Sequence, residues 1–197
     1  YLADYIMSLG LPMDQMVVVA PDEGAVKRIL PFVARVAGRL SGEPVAYTLM
    51  TQSDSQSKGN GPGFAIIDKR RSGGSTRQAH FIGSSVEGKL AVLIDDMITT
   101  GGSIIGAANA AHERGARQIY AACTHALLCD KAVERLAASP IDHLILCDTV
   151  PVAKEKRLPN MQMLSLASLL GEAIKRIHRN DSVSEMFKLQ MEPQLIW

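Results

Sequence analysis

The chain has 197 residues, 47% of them hydrophobic and 21% charged, and its 21 basic and 20 acidic side chains leave a formal net charge of +1. This composition is typical of an ordinary globular protein of one domain, and at this length folding buries roughly 70% of the surface that the unfolded chain exposes. The balanced charge excludes a strongly basic nucleic-acid binder, and no apolar run approaches the ~20 residues of a membrane span, so we expect neither nucleic acid nor membrane as a partner.

Helical and strand patterns alternate along the first half of the chain. The run Met16–Ala20 is apolar and rich in β-branched residues, which predicts a buried strand. Thr51–Gly63 and Ser72–Gly83 are polar and rich in small residues that bury little, and we predict them to be loops and the most mobile stretches. The predicted elements of this half are helices at Tyr1–Leu9 and Val26–Leu40 and strands at Met16–Ala20, Val45–Met50 and Phe64–Asp68.

The second half continues the alternation and indicates the fold class. Its predicted strands are Ala91–Ile94, Gln118–Thr124, His143–Asp148 and Met161–Leu166, and its predicted helices are Ile104–Arg114, Asp130–Ala138, Leu169–Arg179 and a short turn at Ser182–Phe187. This alternation implies an α/β fold, a doubly wound, mostly parallel sheet flanked by helices on both faces. Ligands bind such sheets at the carboxyl ends of the strands, near the reversal in strand order. Three predicted strands end in polar clusters, which we therefore expect to share one crevice.

The stretch Lys89–Ser103 carries the strongest chemical signal in the chain. A buried strand leads into two carboxylates, then into a run of glycines and hydroxyl side chains at the start of a helix. Glycines let the backbone turn tightly and approach a ligand, while the free N–H groups and dipole of a helix start favour phosphate. Carboxylates suit ligand hydroxyls or Mg²⁺, so the pattern predicts a ribose 5-phosphate site rather than an ordinary turn with solvated aspartates. The candidate residues are Asp95, Asp96, Thr99, Thr100, Gly101, Gly102 and Ser103.

A second polar cluster follows the strand Met16–Ala20, at the start of the next helix. Its residues are Asp22, Glu23, Gly24 and Ala25. The helix start offers N–H groups to a second anion, and Asp22 is placed to hold a cation that bridges phosphates. Taken alone the signal is weak, because acidic residues at a helix start also serve as simple caps.

A third cluster, Lys69-Arg70-Arg71, lies at a predicted strand end before the Gly/Ser-rich stretch. Adjacent cations repel one another unless an anion is near, and the guanidinium fork of arginine matches phosphate. Followed by a mobile loop, the cluster is typical of a lid that carries catalytic charge. The simpler interpretation is a solvated basic turn.

Together these clusters resemble those of a known family. The Asp95–Ser103 pattern resembles the ribose-phosphate loop of the type I phosphoribosyltransferase fold, and the chain as a whole resembles the C-terminal half of ribose-phosphate diphosphokinases. Salvage phosphoribosyltransferases share the loop but have no segment like Ala65–Arg71, AIIDKRR, which makes that segment the most discriminating. The other matching segments are Val17–Arg28, Val86–Ser103, Tyr120–Leu128, Ser139–Pro151 and Ser182–Phe187.

The resemblance implies a domain division and a reaction. Residues 1–187 would form the phosphoribosyltransferase-like C-terminal domain and residues 188–197 an extension, with the family's N-terminal half absent. The implied enzyme transfers the pyrophosphoryl group of ATP to C1 of ribose 5-phosphate, giving phosphoribosyl pyrophosphate and AMP. We expect the C-terminal half alone to be inactive. The resemblance further implies Mg²⁺ as cofactor and a homo-oligomer, often a hexamer.

The family's roles transfer to matching residues of this chain. Lys69 and Arg71 would stabilise the transferring group, and Asp95 with Asp96 would bind ribose hydroxyls. The loop Thr99–Ser103 would hold the 5-phosphate. The turn made of Asp22, Glu23, Gly24 and Ala25 would take the pyrophosphate, with Asp22 helping to hold Mg²⁺.

Two residues depart from the family pattern, and other functions stay open. Thr99 stands where many members carry Asp, so a hydroxyl acceptor or general base is missing, and Ala25 stands where Gly or Ser is common. Because the N-terminal half is absent, a non-catalytic regulatory subunit or nucleotide-sensing module on the same fold is the alternative. A salvage phosphoribosyltransferase is disfavoured because the chain has no recognisable base-binding hood. Three cysteines without metal-ligand spacing indicate a reducing compartment, the cytoplasm: Cys123, Cys129 and Cys147.

Overall fold

The structure is a computed structural model that describes residues 1–41, 62–69, 79–188 and 194–195. In these ranges the chain forms one sheet of eight strands and five α-helices. The strands are β1 (Met16–Ala20), β2 (Gly63–Lys69), β3 (Ala79–Gly83), β4 (Leu90–Ile98), β5 (Gln118–Ala126), β6 (His143–Cys147), β7 (Met161–Ser165) and β8 (Gln194–Leu195). The α-helices are α1 (Leu2–Ser8), α2 (Val26–Ser41), α3 (Gly102–Glu113), α4 (Ala132–Ala137) and α5 (Ala167–His178). Short 3₁₀ turns lie at Met13–Gln15, Glu23–Ala25, Lys154–Lys156 and Val183–Lys188.

The strand order is β3-β2-β1-β4-β5-β6-β7-β8. The six inner strands run parallel, while β3 pairs antiparallel with β2 and β8 antiparallel with β7. The order reverses at β1, because β2 lies on one side of it and β4 on the other. Ligand sites of doubly wound sheets lie at such a reversal, so the carboxyl ends of β1 and β4 are the place to look for one. The predicted fold class, a doubly wound and mostly parallel sheet, is confirmed.

The sheet separates two apolar layers, and β1 shows how. All five of its residues are buried, as expected of a central strand covered on both faces. Val17 and Val19 belong to one buried cluster together with α3 and α4, whereas Val18 and Ala20 belong to another together with α1 and α2. Because neighbouring side chains of a strand point to opposite faces, this alternation fixes helix layers on both sides of the sheet.

The prediction of a loop at Ser72–Gly83 is wrong for the last five of these residues. Ala79–Gly83 forms the edge strand β3, in which Phe81 pairs with Ile67 and Ile82 with Ile66 of β2. A short run of strand-forming residues pairs here with a distant strand, and that pairing overrides the loop-like composition around it. The strand predicted at Val45–Met50 and the rest of the two stretches predicted to be mobile lie outside the described residues, apart from the start of β2.

The other predicted elements are confirmed, with differences at their ends. The strand Met16–Ala20 has the predicted bounds, whereas β4 continues four residues past its predicted end at Ile94. β4 stays in the sheet because its ladder with β5 runs on as far as the pair Ile98 and Ala126. In the stretch predicted as an extension, Gln194–Leu195 adds β8 to the edge of β7. No helix in the described ranges is both long and apolar enough to cross a membrane.

Candidate functional site

The end of β4 holds the two carboxylates singled out by the sequence. Asp95 pairs with Cys123 of β5, and both Asp95 and Asp96 are partly buried. The backbone N–H of Asp96 donates to Oδ1 of Asp95 at 3.0 Å, and the N–H of Met97 donates to Oδ1 of Asp96 at 2.9 Å. These backbone contacts orient both carboxylates at the carboxyl edge of the sheet, next to the loop that follows.

The surroundings of Asp95 disfavour its charged form. Burial raises its pKa to about 6, and the nearby carboxylates of Asp96 and Asp22 push in the same direction, against the lowering effect of the Asp96 N–H. The contribution from Asp22 is the smallest of these, and it is in line with β1 and β4 being parallel neighbours that end at the same edge of the sheet. The parallel pairing of β1 and β4 places Asp22 and Asp95 at the same edge of the sheet, and the shared crevice expected from the sequence stays a prediction.

The raised pKa of Asp95 leads to a prediction about stability. In the unfolded chain this carboxyl ionises near pH 4, but in the folded protein it does so only near 6. The free energy of unfolding therefore falls as the pH rises through this window. The fall is about 1–3 kcal/mol once solvent screening of a half-buried group is allowed for. We expect Asp95→Asn to be more stable than the wild type at about pH 8, with the difference vanishing below about pH 4.

Thermal unfolding across this pH range measures the effect of Asp95→Asn. Asp14→Asn is the matched control, because Asp14 is an exposed aspartate in the 3₁₀ turn before β1. A control variant that shows the same pH-dependent gain, or an Asp95→Asn variant that is less stable than the wild type at high pH, would contradict this account of the site.

The loop after β4 turns at Gly101, which is the N-terminal flanking residue of α3. Its φ of 78° lies in the left-handed region, and a Cβ there would come within 2.9 Å of Cδ1 of Ile105. Gly102 has no such restriction, since a Cβ there would have only Thr100 Oγ1 near it, at 3.8 Å. The tight turn expected of both glycines is thus required at Gly101 alone, and Gly102 instead leaves open space beside the backbone.

This loop presents donors towards solvent. Thr99, Thr100 and Gly102 are exposed, and Ser103 is partly buried. No side chain among the described residues caps the N-terminus of α3, so the first N–H groups of the helix are left for water or an anion. The carbonyl of Thr99 accepts from the N–H of Cys129 at 2.9 Å, which ties the loop to the segment after β5. Hydroxyls and N–H groups therefore lie together at a fixed turn, as a phosphate site requires.

The turn after β1 is formed by Asp22 and the 3₁₀ turn Glu23–Ala25. Oδ1 of Asp22 accepts from the N–H of Ala25 at 3.0 Å, so this carboxylate does cap the turn, as the simpler interpretation expects. A Cβ at Gly24 would lie 3.2 Å from the same oxygen, a tight contact that glycine avoids. The turn contacts both β2 and β4, and it therefore lies between the other two clusters.

The acidic groups suit Mg²⁺ only in company with a ligand. Among the described residues, no group of three or more His, Cys, Asp or Glu side chains is placed to enclose a metal ion. Mg²⁺ commonly binds one or two carboxylates and completes its shell with water and substrate phosphates. Asp22 and Asp95 supply hard oxygen ligands of that kind, so the residues present fit a magnesium ion that arrives with a phosphorylated substrate.

The basic cluster is described only in part. Lys69 is the last residue of β2 and pairs with Ala79 of β3, while Arg70 and Arg71 lie outside the described residues. Because β2 lies parallel to β1, its carboxyl end is at the same edge of the sheet as Asp22. The backbone at Lys69 is thus on the correct side of the sheet for the expected role.

Sequence reasoning missed polar side chains at the ends of β5 and β6. The Thr149 hydroxyl donates to the Thr124 carbonyl at 2.6 Å, so the 2.9 Å contact between Nδ1 of His125 and the Thr149 oxygen requires Nδ1 to donate. His125 lies opposite Met97 of β4 in the ladder. The signal was the segment Tyr120–Leu128, which matched the family without any role for its Thr-His pair.

Comparison with known proteins finds relatives over most of the chain. A family described as the phosphoribosyl synthetase-associated domain matches residues 76–188. A ribose-phosphate pyrophosphokinase of Rhodopirellula baltica is 46% identical over 94% of this chain and 51% of its own length. Ribose-phosphate pyrophosphokinase 1, chloroplastic, of Arabidopsis thaliana is 38% identical over 94% of this chain and 40% of its own.

Among solved structures, a phosphoribosylpyrophosphate synthetase from Mycobacterium smegmatis superposes with a TM-score of 0.65. It shares 35% identity over 91% of this chain and 50% of the other. The chain therefore spans about half the length of the relatives that it matches.

Proposed function

The chain belongs to the phosphoribosyl synthetase-associated domain family, and on that premise we propose that the protein carrying it is a ribose-phosphate diphosphokinase. The observation that carries the proposal is a phosphate-type loop after β4, which lies at the reversal of the strand order, where the turn Glu23–Ala25 after β1 contacts β4. This enzyme transfers the pyrophosphoryl group of ATP to ribose 5-phosphate. Similarity to relatives named for this activity, at up to 46% identity, supports the assignment.

Ribose 5-phosphate binds at the end of β4 in this proposal. The loop Thr99–Ser103 takes the 5-phosphate with its hydroxyls and the free N–H groups of α3, and the left-handed Gly101 keeps that loop in shape. The carboxylates of Asp95 and Asp96 accept hydrogen bonds from the ribose hydroxyls. Because only an ionised Asp95 accepts from both oxygens, ribose 5-phosphate affinity should fall as the pH drops below about 6.

The ATP phosphates lie between β1 and the basic cluster in this proposal. The turn from Asp22 to Ala25 takes the pyrophosphoryl group, and Asp22 contributes to holding Mg²⁺, which neutralises phosphate charge when bound. The C1 hydroxyl of the ribose loses its proton and attacks the β-phosphorus. The bond from that phosphorus to the oxygen of the α-phosphate breaks, and AMP leaves. Lys69 and Arg71 stabilise the charge of the transferring group, since such transfers depend on positioning and charge rather than covalent catalysis.

The cellular setting belongs to the same proposal. Use of ATP and the presence of free, buried thiols such as Cys123 and Cys147 are both typical of a cytoplasmic enzyme. The family resemblance implies a homo-oligomer, often a hexamer. Because the chain matches only half of its relatives, the remaining half would supply further contacts to ATP.

Detection of the products separates this proposal from the regulatory module. The intact natural protein is incubated with ATP, ribose 5-phosphate and Mg²⁺, and phosphorus NMR follows the nucleotide. The proposal predicts AMP and phosphoribosyl pyrophosphate in equal amounts, and neither when ribose 5-phosphate is omitted. Nucleotide binding without AMP formation would instead favour the non-catalytic regulatory or nucleotide-sensing function.

A further inference from the structure

The candidate phosphate loop lacks a positive side chain of its own. Thr99–Ser103 offers hydroxyls and N–H groups only, and the nearby carboxylates of Asp22, Asp95 and Asp96 add negative charge. A phosphate monoester carries about −1.5 to −2 charges near pH 7, whereas a helix N-terminus supplies only about half a positive charge. A ribose 5-phosphate dianion at this loop therefore needs a further cation.

Helix α4 brings one to the loop from a distant part of the sequence. Arg135 is exposed, and its Nη1 donates to the carbonyl oxygen of Thr100 at 3.5 Å. The next residue, Leu136, is only 2% exposed and lies beneath the turn, with its Cγ 3.9 Å from where a Cβ of Gly101 would be. The buried leucine thus anchors α4 against the loop, and the arginine is held at the loop's rim.

The guanidinium of Arg135 has N–H donors that are available to a ligand. In the part of the chain that the structure describes, it forms no ion pair with a carboxylate, and its contact with Thr100 is at the long end of hydrogen bonding. A guanidinium carries five N–H donors in a planar fork that matches phosphate oxygens. Exchanging one weak contact to a neutral carbonyl for a charged pair with phosphate is therefore favourable.

We propose that Arg135 is a phosphate-binding residue of this site and donates to the 5-phosphate oxygens of ribose 5-phosphate. The inference rests on the proposed function, because it assumes that the loop Thr99–Ser103 holds that phosphate. It adds a cation that lies 35 positions after Thr100 and outside every motif used to recognise the site. In this arrangement α4 is part of the ligand site, with Leu136 as its anchor.

Calorimetry on the 197-residue chain tests the proposal, with inorganic phosphate and ribose 5-phosphate as probes. We expect Arg135→Ala to weaken binding of both by about 10-fold at low salt, the scale of one charged hydrogen bond. Arg135→Lys should recover part of this loss, because the charge remains while the fork is lost. The effect of Arg135→Ala should shrink at about 0.5 M salt, where the Debye length is short. Arg117→Ala is the control. Arg117 is an exposed arginine just before β5, at the amino ends of the parallel strands and therefore away from the site at their carboxyl ends.

Each other outcome contradicts the proposal in a different way. If the wild type binds both probes and Arg135→Ala binds them equally well, the proposed function stands and the role of Arg135 is wrong. A loss that Arg135→Lys does not relieve, with a matching fall in thermal unfolding temperature, would make the residue merely structural. A loss of affinity of the same size in Arg117→Ala would mean that the effect of Arg135→Ala comes only from the change in net charge. A wild type that binds neither probe would overturn the phosphate loop together with this inference.

Discussion

Replacing Lys69 by alanine is expected to lower turnover in the intact natural protein by a factor on the order of 10²–10³, the usual loss for one preorganised charge contact in a transition state. Lys69 ends β2 at the edge of the sheet where β1 and β4 also end, next to Asp22 and Asp95 in the chain. A positive group there opposes the charge of the transferring pyrophosphoryl group more strongly in the transition state than in the ground state. The Michaelis constant for ribose 5-phosphate should therefore change only a few-fold.

Two neighbouring variants serve as controls for Lys69→Ala in steady-state kinetics. Arg71→Ala should show a loss similar to that of Lys69→Ala. Arg70→Ala should be nearly silent, because side chains alternate along an extended segment and Arg70 then points away from the site. Small effects at all three positions would indicate a solvated basic turn. A silent Lys69→Ala would favour the regulatory module, and a large effect at Arg70 would mean that the assumed orientation of the segment is wrong.

Replacing Gly101 by valine is expected to weaken binding of ribose 5-phosphate strongly. Valine is branched at Cβ and strongly disfavours the φ of 78°, and its Cβ would overlap Cδ1 of Ile105. Holding the native turn would then cost about 1–3 kcal/mol, so the loop should shift instead and its N–H groups should lose their common direction. Calorimetry should show affinity reduced by at least about 10-fold, the equivalent of ~1.4 kcal/mol.

Gly102→Ala is the matched control for Gly101→Val. A Cβ at Gly102 meets nothing closer than 3.8 Å, so the fold and the loop should survive the change. Any loss of affinity in that variant would reflect direct crowding of the ligand rather than a distorted turn, and thermal unfolding would stay at the wild-type temperature. A Gly101→Val protein that binds ribose 5-phosphate as the wild type does would show that the left-handed turn is not needed by the site.

The sequence predicted those parts of the fold whose signals are local. The buried run Met16–Ala20 and the alternation of strands and helices are properties of neighbouring residues, and they led to the correct fold class. The strand Ala79–Gly83 was missed because its evidence is its pairing with β2, which composition does not reveal. The end of β4 was placed too early, since polar residues such as Asp95 stay in the ladder only through the pairing partner β5.

The candidate site divides in the same way. The placement of Asp22 and Asp95 at one edge of the sheet could be predicted, because the carboxyl ends of parallel strands lie together there. The sequence could not show which residue of the pair Gly101-Gly102 adopts the left-handed conformation, because both are glycine. Only the backbone φ angles of the structure distinguish the two. The approach of Arg135 depends on how α4 packs through Leu136, a tertiary contact without a sequence motif.

The central claim is that ribose 5-phosphate binds at the loop after β4, and an NMR titration of the isotope-labelled chain tests it most directly. The backbone amides of Gly101, Gly102 and Ser103 should show the largest shifts on adding ribose 5-phosphate, because their N–H groups would donate to the phosphate. Inorganic phosphate should shift the same amides, and unphosphorylated ribose should shift them far less. Saturable shifts confined to another part of the chain, or none at this loop, would contradict the account.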